Sequence, residues 1–167
     1  ERGRRPGTEN VPGIIGMGTA ADLALKHLPD YDTTVRAMRD RLEQGLLSGH
    51  KNAVLNGNRE RRVPNTTNIG FEFIEGEAIL LYLDEKGVAA SSGSACSSGS
   101  LEPSHVLRAM GVPFTSAHGS IRFSLSRFVS GNDIDYVLSV MPEIVNRLLE
   151  ISPYWDSAKQ EPLPINL

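Results

Sequence analysis

Cysteine is nearly missing from this sequence, long hydrophobic runs are missing altogether, and neither sign of charge is in large surplus. The only cysteine is Cys96. A single thiol excludes a disulfide within the chain and any multi-cysteine metal site, and it fits a reducing, intracellular setting. No apolar run approaches the roughly 20 residues that cross a bilayer. The basic start, Glu1–Arg5, lacks the apolar follow-on of a secretory signal. A formal net charge of −3 gives no reason to expect nucleic acid or an anionic membrane as partner. The chain also begins without Met, in a charged and irregular stretch, and reads as a piece of a longer protein. Its 167 residues suffice for one domain with a real core.

What the sequence does have is concentrated around Cys96. Ser91, Ser92, Ser94, Ser97, Ser98 and Ser100 surround it, with Gly93 and Gly99. Small polar residues and glycines favour a mobile loop, here 91–102. The apolar run Val88–Ala90 enters as a strand, and Pro103 is placed to open a helix. Cys96 is therefore expected to be exposed and mobile. A free cysteine is commonly a buried small hydrophobe, but this segment has little apolar surface with which to bury one. A nucleophile that must move suits the same composition.

Asn10 and Pro12 open a helix over about Val11–His27, ended by Pro29. Gly13, Gly16, Gly18, Ala20, Ala21 and Ala24 give it a thin face, expected to pack tightly on another element. A second helix is predicted from Tyr31 to Leu47, capped by Asp32 and closed by Gly49. Val35, Met38, Leu42 and Leu46 form its apolar stripe, while Arg36, Arg39, Asp40 and Glu43 lie on other faces. Ala53–Leu55 reads as a strand, Asn56-Gly57-Asn58 as a turn, and Arg59–Arg62 as a basic loop. Thr67–Phe73 alternates, with Ile69, Phe71 and Phe73 buried. A helix over Glu77–Glu85 stops at Gly87, and another spans Pro103–Met110 before Gly111. Ile121, Phe123 and Leu125 alternate with Arg122, Ser124 and Ser126 in a further strand. Ser130 and Asp133 form a capping box for a last helix that Pro142 should kink or split. The tail after Pro153 reads as irregular. The expected fold is α+β, a small, mostly antiparallel sheet covered by helices.

Three groups of residues could carry chemistry. Cys96 works as a thiolate. Arg122 lies mid-strand on the face away from the apolar residues, where its fork suits either a bidentate carboxylate or solvent. His105 and His118 are candidate partners for the cysteine, with no acidic residue at a telling spacing. Ser48-Gly49-His50-Lys51 has the flavour of a pyridoxal-phosphate lysine loop. A strand and a turn follow it, so Lys51 reads as a surface residue after a helix end.

Ser91-Ser92-Gly93-Ser94-Ala95-Cys96, followed by Ser100-Leu101-Glu102-Pro103-Ser104 and Val106-Leu107-Arg108-Ala109, closely resembles the active-site segment of NifS/IscS-type cysteine desulfurases. Arg5-Pro6-Gly7-Thr8-Glu9-Asn10-Val11-Pro12-Gly13, Val63-Pro64-Asn65-Thr66-Thr67-Asn68 and Ile121-Arg122-Phe123-Ser124-Leu125-Ser126-Arg127-Phe128 agree in the same order. Ser152-Pro153-Tyr154-Trp155 leans toward the nitrogen-fixation NifS branch. The resemblance implies the small C-terminal domain of a fold-type-I enzyme using pyridoxal 5'-phosphate. It assigns 1–30 to a connecting segment and helix from an absent large domain, 31–152 to the small domain and 153–167 to an irregular tail. It implies an enzyme that converts L-cysteine to L-alanine and a protein-bound persulfide, with this part alone inactive for want of the cofactor lysine. Cys96 would carry the sulfur and transiently share an iron–sulfur ligand with a scaffold, the sulfur acceptor. Arg122 would bind the substrate carboxylate, and Thr8 would reach the cofactor phosphate of the partner subunit in a cytoplasmic homodimer. A non-catalytic sulfur-relay or scaffold-binding module presenting Cys96 is the alternative.

Overall fold

In the computed structural model, residues 3, 6–92, 103–156, 158–159 and 161–164 are described. Helix α1 spans Val11–Lys26, with the Asn10 side chain accepting from the Gly13 amide and Pro12 in the first turn. Its expected tight packing is not found, because no residue of α1 is buried. A methyl group built on Gly16 or Gly18 would meet nothing within 4 Å. Pro29 stands three residues past the end of this helix at Lys26, as expected. It sits in the first turn of α2, Leu28–Asp30, which runs on through a wide helical turn, Tyr31–Val35, into α3, Arg36–Gly49. Asp32 is thus inside a helical stretch, where it pairs with Arg36 one turn on, and it is not a cap.

Val35, Leu42 and Leu46 of this stretch are buried as expected, but so are Arg39 and Glu43. The positions 35, 39, 42, 43 and 46 trace the i, i+4, i+7, i+8, i+11 stripe of a core-facing helix. Geometry therefore takes these two charges inward, and the partners described below compensate them.

Strands β1, Ala53–Leu55, and β2, Thr66–Phe71, follow, then α4, Gly76–Glu85, and the two-residue strand β3, Ser91–Ser92. The strand is Ser91–Ser92 and not Val88–Ala90, so the first two serines of the predicted loop are paired. Helix α5 covers His105–Ala109, starting two residues after Pro103 because Ser104 is extended, with ψ 126°. Helix α6, Phe114–His118, is an element the hydrophobic pattern does not signal. Strand β4, Ser120–Ser124, leads to α7, Gly131–Glu150. The tail is not wholly irregular: β5, Trp155–Asp156, pairs with β6, Glu161–Pro162, beside the buried Trp155. Gly87 and Gly111 close their helices at φ +75° and +74°, where a side chain would be strained.

The expected α+β architecture is observed. The main sheet is antiparallel, in the order β1-β2-β4-β3. Ile69, Phe71, Ile121 and Phe123 face one core with α3, α4 and α7. Phe73 does not continue that face. The strand ends at Phe71, and Phe73 turns to φ +69°, uncommon for a bulky residue. Its ring packs 5.8 Å from that of Trp155, and its carbonyl accepts the Ser152 hydroxyl at 2.5 Å.

The predicted Ser130–Asp133 capping box opens α7, with the Ser130 amide donating to the Asp133 carboxylate at 2.7 Å. Pro142 does not split the helix; it lies on the exposed side of a continuous α7. The other face of the sheet carries Asn68, Gly70, Ser120, Arg122 and Ser124. Helix α6 covers one end of it, over Gly70. A Cβ on Gly70 would lie 2.2 Å from Ser116 Oγ, so only glycine admits this approach. Among the described residues, no helix is long and apolar enough to cross a membrane.

Candidate functional site

Strand β4 alternates strictly, so Ile121 and Phe123 enter the core and Arg122 emerges on the open face. Its register partners are Asn68 on β2 and Ser91 on β3. Arg122 is exposed, and among the described residues nothing pairs with its guanidinium. A planar, always-charged fork standing clear on a rigid strand is suited to a carboxylate.

Strand β3 leads from Arg122's register partner into the segment that carries Cys96. Cys96 and the expected mobile loop around it lie outside the described residues. The covalent chain limits the separation: four residues after Ser92 extend no further than about 14 Å. Ser104, ahead of α5, is buried. Pairing of β3 with β4 thus sets Arg122 beside the strand feeding the cysteine segment. Thr8 lies on the exposed stretch ahead of α1, and among the described elements α1 packs on α2.

The two histidines separate. His105 is exposed. His118 has an acidic neighbour that sequence spacing did not reveal: its Nδ1 lies 3.6 Å from Glu75 Oε2. Its ring centroid lies 4.1 Å from that of Phe114, the planes tilted by 52°, at the wall of a cavity of about 640 Å³ that Phe73, Ile74 and Tyr154 also line. His50 is buried with Nδ1 2.9 Å from the Leu46 carbonyl, and Lys51 is exposed at the turn after α3.

Behind the open face lies a charged network that sequence reasoning missed. Arg39, 1% exposed, donates to Asp40 Oδ1 at 2.7 Å and to the Val63 and Thr66 carbonyls at 3.2 and 3.4 Å. Glu43 accepts from both terminal nitrogens of Arg62 and from the Thr67 hydroxyl at 2.6 Å. Burial alone would raise the Glu43 carboxyl. The hydrogen bonds from Arg62 and Thr67, with the charges of Arg62 and Arg39, outweigh burial and hold it below the ordinary range. The same pairing raises Arg62. Next to it, Asn65 clamps Leu125 twice, its carbonyl accepting the Leu125 amide at 2.8 Å and its Nδ2 donating to the Leu125 carbonyl at 3.0 Å. The segment 62–67 is thus tied to α3 on one side and to the end of β4 on the other. The helical stripe of α3 was the available signal for Arg39 and Glu43; apart from Asp40, their partners lie about 20 or more positions away and left none.

The described residues do not by themselves fit a resident pyridoxal phosphate. Lys26, Lys51 and Lys159 are exposed, and Lys86 reaches Glu143 at 3.5 Å on the surface. None lines the cavity described above. Nor does any group of three or more metal-ligating side chains occur among the described residues.

Known proteins resemble this chain along most of its length. A cysteine desulfurase of Gluconacetobacter diazotrophicus is 65% identical over 158 residues, covering 95% of this chain and 40% of that protein. The cysteine desulfurase NifS of Azotobacter vinelandii is 57% identical over 155 residues, covering 93% of this chain and 39% of NifS. Among solved structures, a NifS-like protein superposes with a TM-score of 0.75 at 33% identity, over 88% of this chain and 37% of its own. A NifS-like protein from Rickettsia africae gives 0.72 at 33% identity, over 84% and 36%. The chain spans about 40% of the length of the curated relatives it matches. The family model for aminotransferase class-V matches residues 1–137, and the chain belongs to that family.

Proposed function

We propose that this chain is the C-terminal part of a cysteine desulfurase that converts L-cysteine to L-alanine and a persulfide on Cys96. Atoms balance without an outside oxidant: the substrate C–S bond breaks, the sulfur joins the Cys96 sulfur, and carbon takes up a proton to give alanine. The observation that carries the reading is Arg122, whose guanidinium has no partner among the described residues, on the open sheet face and in register with the strand that feeds the cysteine segment. Arg122 binds the substrate carboxylate, and Cys96 receives the sulfur. Pyridoxal phosphate, held mainly by residues outside this chain, supplies the electron sink. Thr8 reaches the cofactor phosphate of a partner subunit in a homodimer. Residues 1–30 connect to the rest of the enzyme, 31–152 form the small domain and 153–167 the tail. The persulfide passes to an iron–sulfur scaffold in the cytoplasm, and Cys96 transiently shares a cluster ligand there. The length and identity of the cysteine desulfurase relatives support this reading.

A second reading, a sulfur-relay module presenting Cys96 without catalysis, draws on the surface placement of all four lysines. The test is turnover by the full-length protein, with and without Cys96→Ala. Alanine formation lost with the thiol supports the desulfurase. A protein that forms no alanine but accepts persulfide from another enzyme supports the relay.

A further inference from the structure

The open face carries a second polar group beside Arg122, and a chain of hydrogen bonds fixes which way it points. The Ser120 hydroxyl donates to the Ser116 carbonyl at 2.7 Å. Its one proton is thereby committed, so toward Asn56, 2.8 Å away, Ser120 Oγ accepts. The Asn56 atom there must be Nδ2. The same Nδ2 lies 2.7 Å from the Asn68 amide, which must therefore present Oδ1 to it. Gly70, lacking a side chain, stands between Asn68 and the end of β2. The Asn68 carbonyl is thus taken by Asn56, and its Nδ2 is left on the side away from Asn56. Among the described residues, nothing else accepts from that Nδ2. Directly across the strand pair, in register, stands Arg122. Opposed residues on one face of an antiparallel pair have Cβ atoms about 4.5–5.5 Å apart.

We infer that Asn68 is a second donor to the carboxylate that Arg122 binds, and that Asn56 is a positioning residue that sets the Asn68 amide donor-outward. The inference rests on the desulfurase reading and deepens it. A carboxylate has about four lone-pair sites; the guanidinium fork fills two, and an amide N–H fills a third from the neighbouring strand. The arrangement selects for a planar anion: a neutral ester or amide offers fewer acceptors and no charge.

The experiment compares L-cysteine with L-cysteine methyl ester in the full-length enzyme. Asn68→Asp keeps the size and still accepts from Asn56, but it replaces the outward donor with an anion. We expect it to raise KM for L-cysteine at least tenfold, with kcat within twofold, and to move KM for the ester less than twofold. Asn68→Ala should raise KM for L-cysteine about threefold to tenfold. Asn56→Asp should act like Asn68→Ala, because an acceptor at 56 turns the Asn68 amide around. If wild-type enzyme forms no alanine, or Arg122→Ala leaves KM unmoved, the desulfurase reading fails first and this inference with it. If both controls hold and Asn68→Asp moves KM for L-cysteine less than threefold, or acid and ester alike, the role given to Asn68 is overturned.

Discussion

Arg62 grips Glu43 with both terminal nitrogens, at 2.5 and 2.9 Å, while Thr67 donates to the same carboxylate at 2.6 Å. The contact ties the basic loop and the start of β2 to the middle of α3. Removing one partner of a buried pair leaves the other uncompensated, which costs about 3 kcal/mol. Arg62→Ala should therefore lower amide protection across β2 roughly a hundredfold in native-state hydrogen exchange of the full-length protein. Arg61→Ala, on the exposed side of the same loop, should change it little. Equal effects at the two positions would remove the network from the account.

The same pair makes a prediction about pH. Folded Glu43 is the stronger acid, so in the window between its two pKa values the unfolded chain binds more protons and stability rises with pH. The contribution is complete above the unfolded value, near 4.5, and is lost as pH falls through the lower, folded value. β2 protection should fall in acid below about pH 4.5, and Glu43→Gln should flatten that fall. A wild-type acid response that survives Glu43→Gln unchanged would assign it to other carboxylates.

These two residues also mark where the sequence was legible and where it was not. The strands around Ile69 and Ile121 followed from alternation, and α7 from its Ser130–Asp133 box and long apolar stripe, because both signals are local. Arg122 could be placed on the open face for the same reason. Arg39 and Glu43 are charged residues whose helical positions nevertheless lie on the buried stripe. Their burial rests on compensation by Val63, Thr66, Arg62 and Thr67, a matter of tertiary structure. Phe73 broke its pattern because the Ser152 hydroxyl and the Trp155 ring hold it after the strand has ended. The five-residue α6 owes its place to Gly70 at the end of β2, which no helical period encodes.

Gly70→Ala tests that last point. A methyl there would lie 2.2 Å from Ser116 Oγ and 2.9 Å from the Ser116 carbonyl oxygen, so α6 must shift. Overpacking of this kind costs about 1–3 kcal/mol. Exchange protection should fall at Ala117 and His118 as well as in β2. A fall confined to β2 would show that α6 does not depend on this contact.

Arg122→Ala should weaken engagement of L-cysteine more than cofactor binding. Losing one charge-assisted carboxylate contact costs on the order of 1.5–3 kcal/mol, about tenfold to a hundredfold in KM. Arg122→Lys should recover only part, since an ammonium cannot form the two-pronged contact. Unchanged KM and kcat in Arg122→Ala would remove this residue from the site.

The central claim is that Cys96 takes the substrate's sulfur. A hydroxyl is a poor substitute for a thiolate nucleophile at neutral pH, and a methyl group is none at all. The measurement is the yield of alanine and protein-bound persulfide from L-cysteine in the full-length enzyme carrying Cys96→Ala or Cys96→Ser. The account predicts that both variants keep the cofactor and its spectral response to L-cysteine, while alanine and persulfide formation collapse together. A Cys96→Ala enzyme that still builds a protein-bound persulfide and makes alanine at the normal rate would contradict it.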